Sequence, residues 1–295
     1  MKLFYPVIIV FIFQSCTAQK ITGIPVNKDN NTLLWEISGK GLKKPSYLFG
    51  TFHLLCKEDI YFSQNLQQAL NNTQEVYFEM DLDDPATVLG GMFFMKMKNG
   101  KNLKEIYTKE EYDKVSTFFS DSLKMNLKAF SNMKPMLLQA LLYPFMMPCK
   151  NPSGVEIELM KIAKKQKKEI YGFETIEFQS SVLDSIPYDV QAKALLKDID
   201  STEKFKFYLN KMVNVYKLQQ TDKLTEMISD TAFSGGENDD IFLKNRNLNW
   251  IRQLNKILRE KNIFIGVGAA HLFGKAGLIT LLTHEGYRVR PLQNK

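Results

Sequence analysis

Residues 262–271 read Asn-Ile-Phe-Ile-Gly-Val-Gly-Ala-Ala-His, the most apolar strand candidate in the chain. A short apolar run bounded by glycine predicts a strand covered on both faces. It opens directly into Gly268-Ala269-Ala270-His271, and the same Gly-x-x-His ending follows the earlier run Ser46–Phe49 as Gly50-Thr51-Phe52-His53. Glu75–Met80 and Glu169–Phe173 also read as strands, the first carrying Glu79 near its end and the second closing on Glu174. Segments of helical spacing lie between them, Ser63–Leu70 and Val155–Lys165 among them. Leu33–Ile37 and Ser46–Phe49 read as a hairpin, and Tyr287–Val289 as a last strand. Strands alternating with helices predict an α/β fold, a central mixed, largely parallel sheet with flanking helices.

Residues 86–150 differ in kind. Met92, Phe93, Phe94, Met95 and Met97 precede a lysine-rich turn at Gly100, Glu110–Leu123 reads as a helix, and Pro135–Met147 is apolar. No strand is evident, so this stretch is expected to be a helical insertion or lid. Its Met/Phe-rich surface is either a greasy contact face or simply packs on the sheet. From Asp189 to about Asp230 the spacing is helical, Gly235-Gly236 marks a loop, and Ile241–Glu260 is a helix with Trp250, Leu254, Ile257 and Leu258 on its apolar face. Residues 32–295 thus read as one α/β domain with the insertion inside it.

The 295 residues are 44% hydrophobic and 24% charged, which excludes a wholly disordered chain. Three cysteines cannot build a disulfide-dense scaffold or a four-thiolate zinc site. The net charge of +7 is lysine-based, because all five arginines (Arg246, Arg252, Arg259, Arg288, Arg290) fall in the last fifty residues. No arginine-rich stripe supports a nucleic-acid partner.

The first residues read as an address. Lys2 precedes the apolar run Leu3–Phe13, too short to span a bilayer and suited to a signal sequence. Gln14-Ser15-Cys16 follows, the pattern of a cleavage and lipidation site in which Cys16 becomes the lipidated first residue and 16–31 a polar tether. Cleavage after Ala18 and an uncleaved anchor remain alternatives. The chain is therefore expected to be exported and lipid-anchored in a bacterial cell envelope, with the membrane as a partner through that lipid. Cys56 and Cys149 either bridge or are buried small hydrophobes.

The chemistry lies at the strand ends. Ligands of open α/β sheets bind outside the carboxyl ends of the strands, and His53, Glu79, Glu174 and His271 all stand there without being close in sequence. Imidazole and carboxylate suit zinc, manganese, cobalt or iron, and a catalytic site keeps a position for water. A metal-free general base, or histidines that are merely structural, are the alternatives. Arg246, between Asn245 and Asn247 at the start of a helix, could hold a substrate carboxylate in its planar fork, orient a glutamate bidentately, or form a surface ion pair. Glu156, two residues after Gly154, is a further candidate to face the site, and His284 beside Glu285 reads as a surface group.

These pieces resemble the TraB/PrgY/GumN family, whose members include the Tiki-type proteases. The resemblance rests on YLFGTFH (Tyr47–His53), EVYFEMD (Glu75–Asp81), the stretch from Gly154 to Thr175, KNRNLNW (Lys244–Trp250) and the stretch from Phe264 to Leu292. It implies that Gly50, His53, Glu79, Gly268 and His271 are site residues, with Glu174, Arg246 and Asn247 at matching motif positions. One position departs: the family's usual Asp is Glu156 here. The resemblance also implies a fold similar to erythromycin esterase and the ChaN-like proteins. It further implies a metal-dependent hydrolase, a peptidase, using Mn2+ or Co2+, with Zn2+ also compatible. On this reading His53, Glu79 and His271 hold the metal, Glu174 is a base or ligand, Arg246 stabilises negative charge, and the substrate is a peptide or small molecule. The rival expectations are an envelope lipoprotein that binds a peptide, haem or signal without turnover, and a metal-free esterase-like hydrolase.

Overall fold

A computed structural model describes residues 24, 25, 27–81, 83–229 and 240–295. The expected signal segment, Cys16, most of the tether and the Gly235-Gly236 loop lie outside the described residues. The strands are β1 (Leu34–Ser38), β2 (Ser46–Thr51), β3 (Leu55–Cys56), β4 (Glu75–Met80), β5 (Pro152–Ser153), β6 (Glu169–Glu174), β7 (Ile263–Gly268) and β8 (Arg288–Pro291). Six of them form one sheet in the order β6-β4-β7-β2-β1-β8, and β3 pairs with β5. The pairs β4·β6, β4·β7 and β2·β7 are parallel, whereas β1 runs antiparallel to both β2 and β8.

The expectation of a fold built on a largely parallel sheet with flanking helices is corrected. Helix takes up 55% and strand 16%, so this is a helix-dominated α/β fold. The parallel run ends at β2, and the antiparallel β1 and β8 complete that edge. The apolar runs of β2 and β7 are conspicuous in the sequence because every residue in them is covered, whereas amphipathic helices mix covered and exposed residues and signal less sharply.

Alternation along the central strands sorts side chains to two cores. Ile263, Ile265 and Val267 face one core with Leu48, Trp250 and Leu254, while Phe264 faces the other with Phe49, Phe78 and Leu159. The helix Asn245–Glu260 covers the first face, Val155–Lys165 the second. The insertion joins the second core through Met97, Val115, Phe119, Leu138 and Met146. Among the described residues no helix is long and apolar enough to cross a membrane.

Cys56 and Cys149 form a disulfide, with Cα atoms 5.7 Å apart. It closes a separation of 93 residues and fastens the end of the insertion to the segment just after His53. The β3·β5 ladder and the bond from Val155 N to Phe52 O, 3.0 Å, bind the same two segments. Loss of the crosslink by Cys149→Ser is expected to lower the unfolding free energy by about 2–5 kcal/mol, read from urea midpoints under oxidising conditions. Equal stability of the variant and the oxidised protein would refute this.

Candidate active site

The four parallel strands deliver their carboxyl ends to one place. β2 ends at Thr51, β7 at Gly268 and β6 at Glu174, and Glu79 is next to last in β4. Gly268 is the common neighbour. A methyl group on it would lie 3.1 Å from Glu79 Oε1, 3.6 Å from His53 Nε2 and 3.7 Å from His271 Cδ2. Any larger side chain would fill the space into which these groups point. Gly50 has a packing reason instead, since a Cβ there would meet Leu272 Cδ2 at 3.0 Å and Ala269 Cα at 3.2 Å. The β2 end thereby packs directly on the turn that carries His271.

The buried centre of the site is Arg246. Its Nε donates to Glu174 Oε1 and Oε2 at 3.0 and 3.1 Å, its Nη2 to Glu174 Oε2 at 2.8 Å and to Glu79 Oε2 at 2.6 Å. Nη1 donates to Phe242 O at 3.1 Å, in the π-helical turn Asp240–Lys244 that precedes the Asn245 helix. Glu174 also accepts from Trp250 Nε1 at 2.8 Å and Gln179 Nε2 at 3.1 Å. Both its oxygens are therefore engaged, and its evident effect is to hold Arg246. Two carboxylates against one guanidinium satisfy a buried charge that would otherwise be costly.

His271 is fixed in one tautomer. Asn247 Nδ2 donates to His271 O at 3.1 Å and to Ala276 O at 2.8 Å, so its Oδ1, 2.7 Å from His271 Nδ1, must be the acceptor. Nδ1 thus carries the hydrogen and Nε2 the lone pair, which faces Arg246 Nη1 at 3.3 Å and Glu79 Oε1 at 3.8 Å. Burial pushes His271 well below the ordinary histidine range; Glu79 opposes this, and the Arg246 charge reinforces it. The ring is neutral, and it packs on Trp250 with centroids 4.4 Å apart. Burial alone would raise Glu79, but its histidine neighbours, Arg246 and the Gly268 N–H at 2.8 Å outweigh burial and lower it. With His271 neutral, that positive charge comes from His53 in its protonated form and from Arg246.

His53 lies in a different setting. Its side chain is 72% exposed, and Nδ1 is 2.7 Å from Glu156 Oε1, leaving Nε2 toward Gly268. Burial against its neighbours lowers His53, but the Glu156 charge and hydrogen bond outweigh that and raise it, an effect that water at the open face moderates. Glu156 is buried and also accepts from Thr51 Oγ1 at 2.5 Å. Two apolar hollows flank the cluster. One of about 300 Å³ is shared by His53, Gly268, Phe52, Tyr143 and Leu209. The other, about 200 Å³, lies by Arg246 against Met80, Phe94, Ile176 and Phe242.

The structure thus brings together His53, Glu79, Glu174, Arg246 and His271, with Gly50 and Gly268 beneath them. His284 is exposed on the helix Leu278–His284. Thr51, Trp250 and Gln179 escaped the sequence reading as site residues. Thr51 lies inside the first Gly-x-x-His motif, but its partner Glu156 is over a hundred residues away, a contact no local pattern shows. A neutral imidazole with its outer nitrogen fixed and an ionised carboxylate are donors that fit a divalent cation. Among the described residues, the group whose ligand atoms lie within 4.8 Å of one another, close enough to share a metal ion, is Cys56, Glu58 and Cys149, and not His53, Glu79 and His271. Its sulfurs are joined in the disulfide, however, and thiolates would exist only after reduction.

The description TraB/PrgY/gumN family matches residues 33–291. Metalloprotease TIKI1 of Danio rerio is 22% identical over 319 aligned residues, covering 88% of this chain and 63% of that protein. Metalloprotease TIKI2 of Danio rerio is 30% identical over 114 residues, 38% of this chain and 20% of the relative. Metalloprotease TIKI1 of Homo sapiens is 30% identical over 89 residues, 30% of this chain and 17% of the relative. The chain therefore spans less than two thirds of the length of these relatives. No solved structure matches the chain.

Two measurements check the geometry. Glu174→Leu is expected to cost about 3 kcal/mol of stability, as when one partner of a buried ion pair is removed; a urea shift equivalent to under about 1 kcal/mol would contradict the structural fork. In nitrogen-15 spectra at neutral pH, His271 is expected to show a protonated Nδ1 and an unprotonated Nε2. The reverse tautomer would contradict the Asn247 assignment.

Proposed function

The chain belongs to the TraB/PrgY/gumN family, and on that premise we propose that it is a divalent-metal-dependent hydrolase acting on peptides in the cell envelope. The observation that carries this reading is the meeting of Glu79, His53 and His271 around the bare Cα of Gly268. His53 Nε2, Glu79 Oε1 and His271 Nε2 would hold the cation, with manganese or cobalt as first candidates and zinc compatible with the same donors. When bound, such a metal lowers the pKa of a water and polarises a carbonyl.

The other residues have roles that follow from their contacts. Asn247 keeps the His271 hydrogen on Nδ1 and away from the site. Glu156, held by Thr51, orients His53 through Nδ1 and can balance a proton on that ring. Glu174 fixes Arg246, which can orient a substrate carboxylate or stabilise charge that develops on an oxygen. The two apolar hollows would take side chains on either side of the bond and keep water from it. The relatives' name, metalloprotease, supports the peptide substrate. The N-terminal pattern supports export and a lipid at Cys16, with the folded part on the outer side of the membrane that holds the lipid.

A second reading has one observation in its favour. Arg246 Nη1 already occupies the lone pair of His271, at 3.3 Å, as suits a metal-free hydrolase that uses the His53–Glu156 pair as base. Calorimetric titration with Mn2+ and peptide hydrolysis assays separate the two. Wild type is expected to bind the ion and lose activity in chelator. His53→Ala with His271→Ala is expected to bind it at least about tenfold more weakly and lose activity by a factor on the order of 100. Full activity in chelator, or unchanged binding and turnover in the double variant, would sink the metal reading.

A further inference from the structure

The helix Pro85–Phe94 has no charged residue along its length. Its Gly91 is turned inward against the helix Ile176–Asp184, so closely that a methyl group there would meet Ile176 Cδ1 at 2.5 Å. Its other side is left to solvent: Leu89, Met92 and Phe93 are 66%, 64% and 81% exposed, and Met95 follows at 39%. Large apolar side chains grouped in this way mark an interaction surface rather than ordinary scatter. The sequence that follows supplies a charge of one sign. Lys96, Lys98, Lys101 and Lys104 are all exposed, and no acidic residue occurs between Asp84 and Glu105. Lys98 is tied to Asp184 at 3.1 Å, which keeps its ammonium beside the helix Ile176–Asp184 against which Gly91 packs.

We propose that Leu89, Met92, Phe93 and the lysines after them form a membrane-contact surface that rests on an anionic bilayer. The apolar side chains would enter the boundary between headgroups and acyl chains, and the ammonium groups of Lys96, Lys101 and Lys104 would lie among the lipid phosphates. The combination of exposed apolar residues with four exposed lysines over residues 96–104, with no acidic residue among them, selects this occupant. A two-fold pairing of two copies through the same patch would set one lysine run against the other. The overall charge of +7 favours the same anionic surface. The inference is independent of the hydrolase reading and of any lipid at Cys16.

The test uses the chain from Thr17 onward, so that neither the apolar run 3–13 nor a lipid at Cys16 contributes. Sedimentation is measured with vesicles of phosphatidylcholine containing about a quarter phosphatidylglycerol, and with phosphatidylcholine alone. Wild type is expected to sediment with the anionic vesicles, less so at high salt. The variant Leu89→Ser, Met92→Ser, Phe93→Ser, with thermal unfolding as the folding control, is expected to partition at least about tenfold more weakly. Lys96→Gln with Lys101→Gln is a second, milder variant and is expected to lose binding several-fold. Absence of binding to anionic vesicles, undiminished binding by both variants, or a dimer in solution that the serine variant abolishes would each overturn the proposal.

Discussion

Everything at the strand ends depends on one buried guanidinium. Arg246 cannot lose its proton, and only a closed set of acceptors makes its burial tolerable. Glu174 from β6, Glu79 from β4 and Phe242 from the turn before its own helix provide that set. The consequence is a chain of placements. The fork fixes where the helix Asn245–Glu260 begins relative to the sheet, and one residue later Asn247 fixes His271. Trp250, one turn on, donates to Glu174 and packs under both the guanidinium and the imidazole. A single helix start thereby couples three strands and both chemical faces of the site.

How much of this was legible in the sequence depends on the range of each interaction. The strands were legible because their signal is local: β7 is buried at every position and closes on glycine. His53, Glu79, Glu174 and His271 could be picked out as candidates for the same reason, each standing at or near the end of such a run. That the Arg246 fork could hold a glutamate was legible, but not that the glutamate is Glu174, because the partners lie 72 residues apart and either could equally have been a surface group. The weight of helix was underestimated for a related reason. The helix Pro85–Phe94 shows no apolar stripe of period 3.6, and the short pieces Leu103–Ile106 and Pro135–Ala140 are held by the common core rather than by their own pattern.

Glu156 stands where the family's usual residue is aspartate, and its side chain reaches one methylene farther. The fold absorbs the added length. The segment before Glu156 is tied to the His53 loop by the disulfide, the short β3·β5 ladder and the Phe52–Val155 hydrogen bond. The carboxylate then meets Thr51 and His53 together. The crosslink lies only three residues beyond His53, so its constraint acts on the site as well as on global stability.

The two Gly-x-x-His motifs, alike as sequence, have become chemically unlike. His271 is buried, neutral and held in one tautomer by a neighbour that has no other way to satisfy its amide. His53 is open to water, partnered by a carboxylate and raised toward protonation. A ring in the first condition suits a fixed donor, because its lone pair is always present and always aimed the same way. A ring in the second suits proton exchange, because solvent reaches it and Glu156 stabilises its charged form. Glu79 stands between them, with Oε2 held by Arg246 and Oε1 turned toward Gly268 and both imidazoles. The asymmetry follows from topology rather than from the motifs: β7 lies at the middle of the parallel strands under the Asn245 helix, whereas the chain after β2 leaves the sheet to pair with the segment before Glu156.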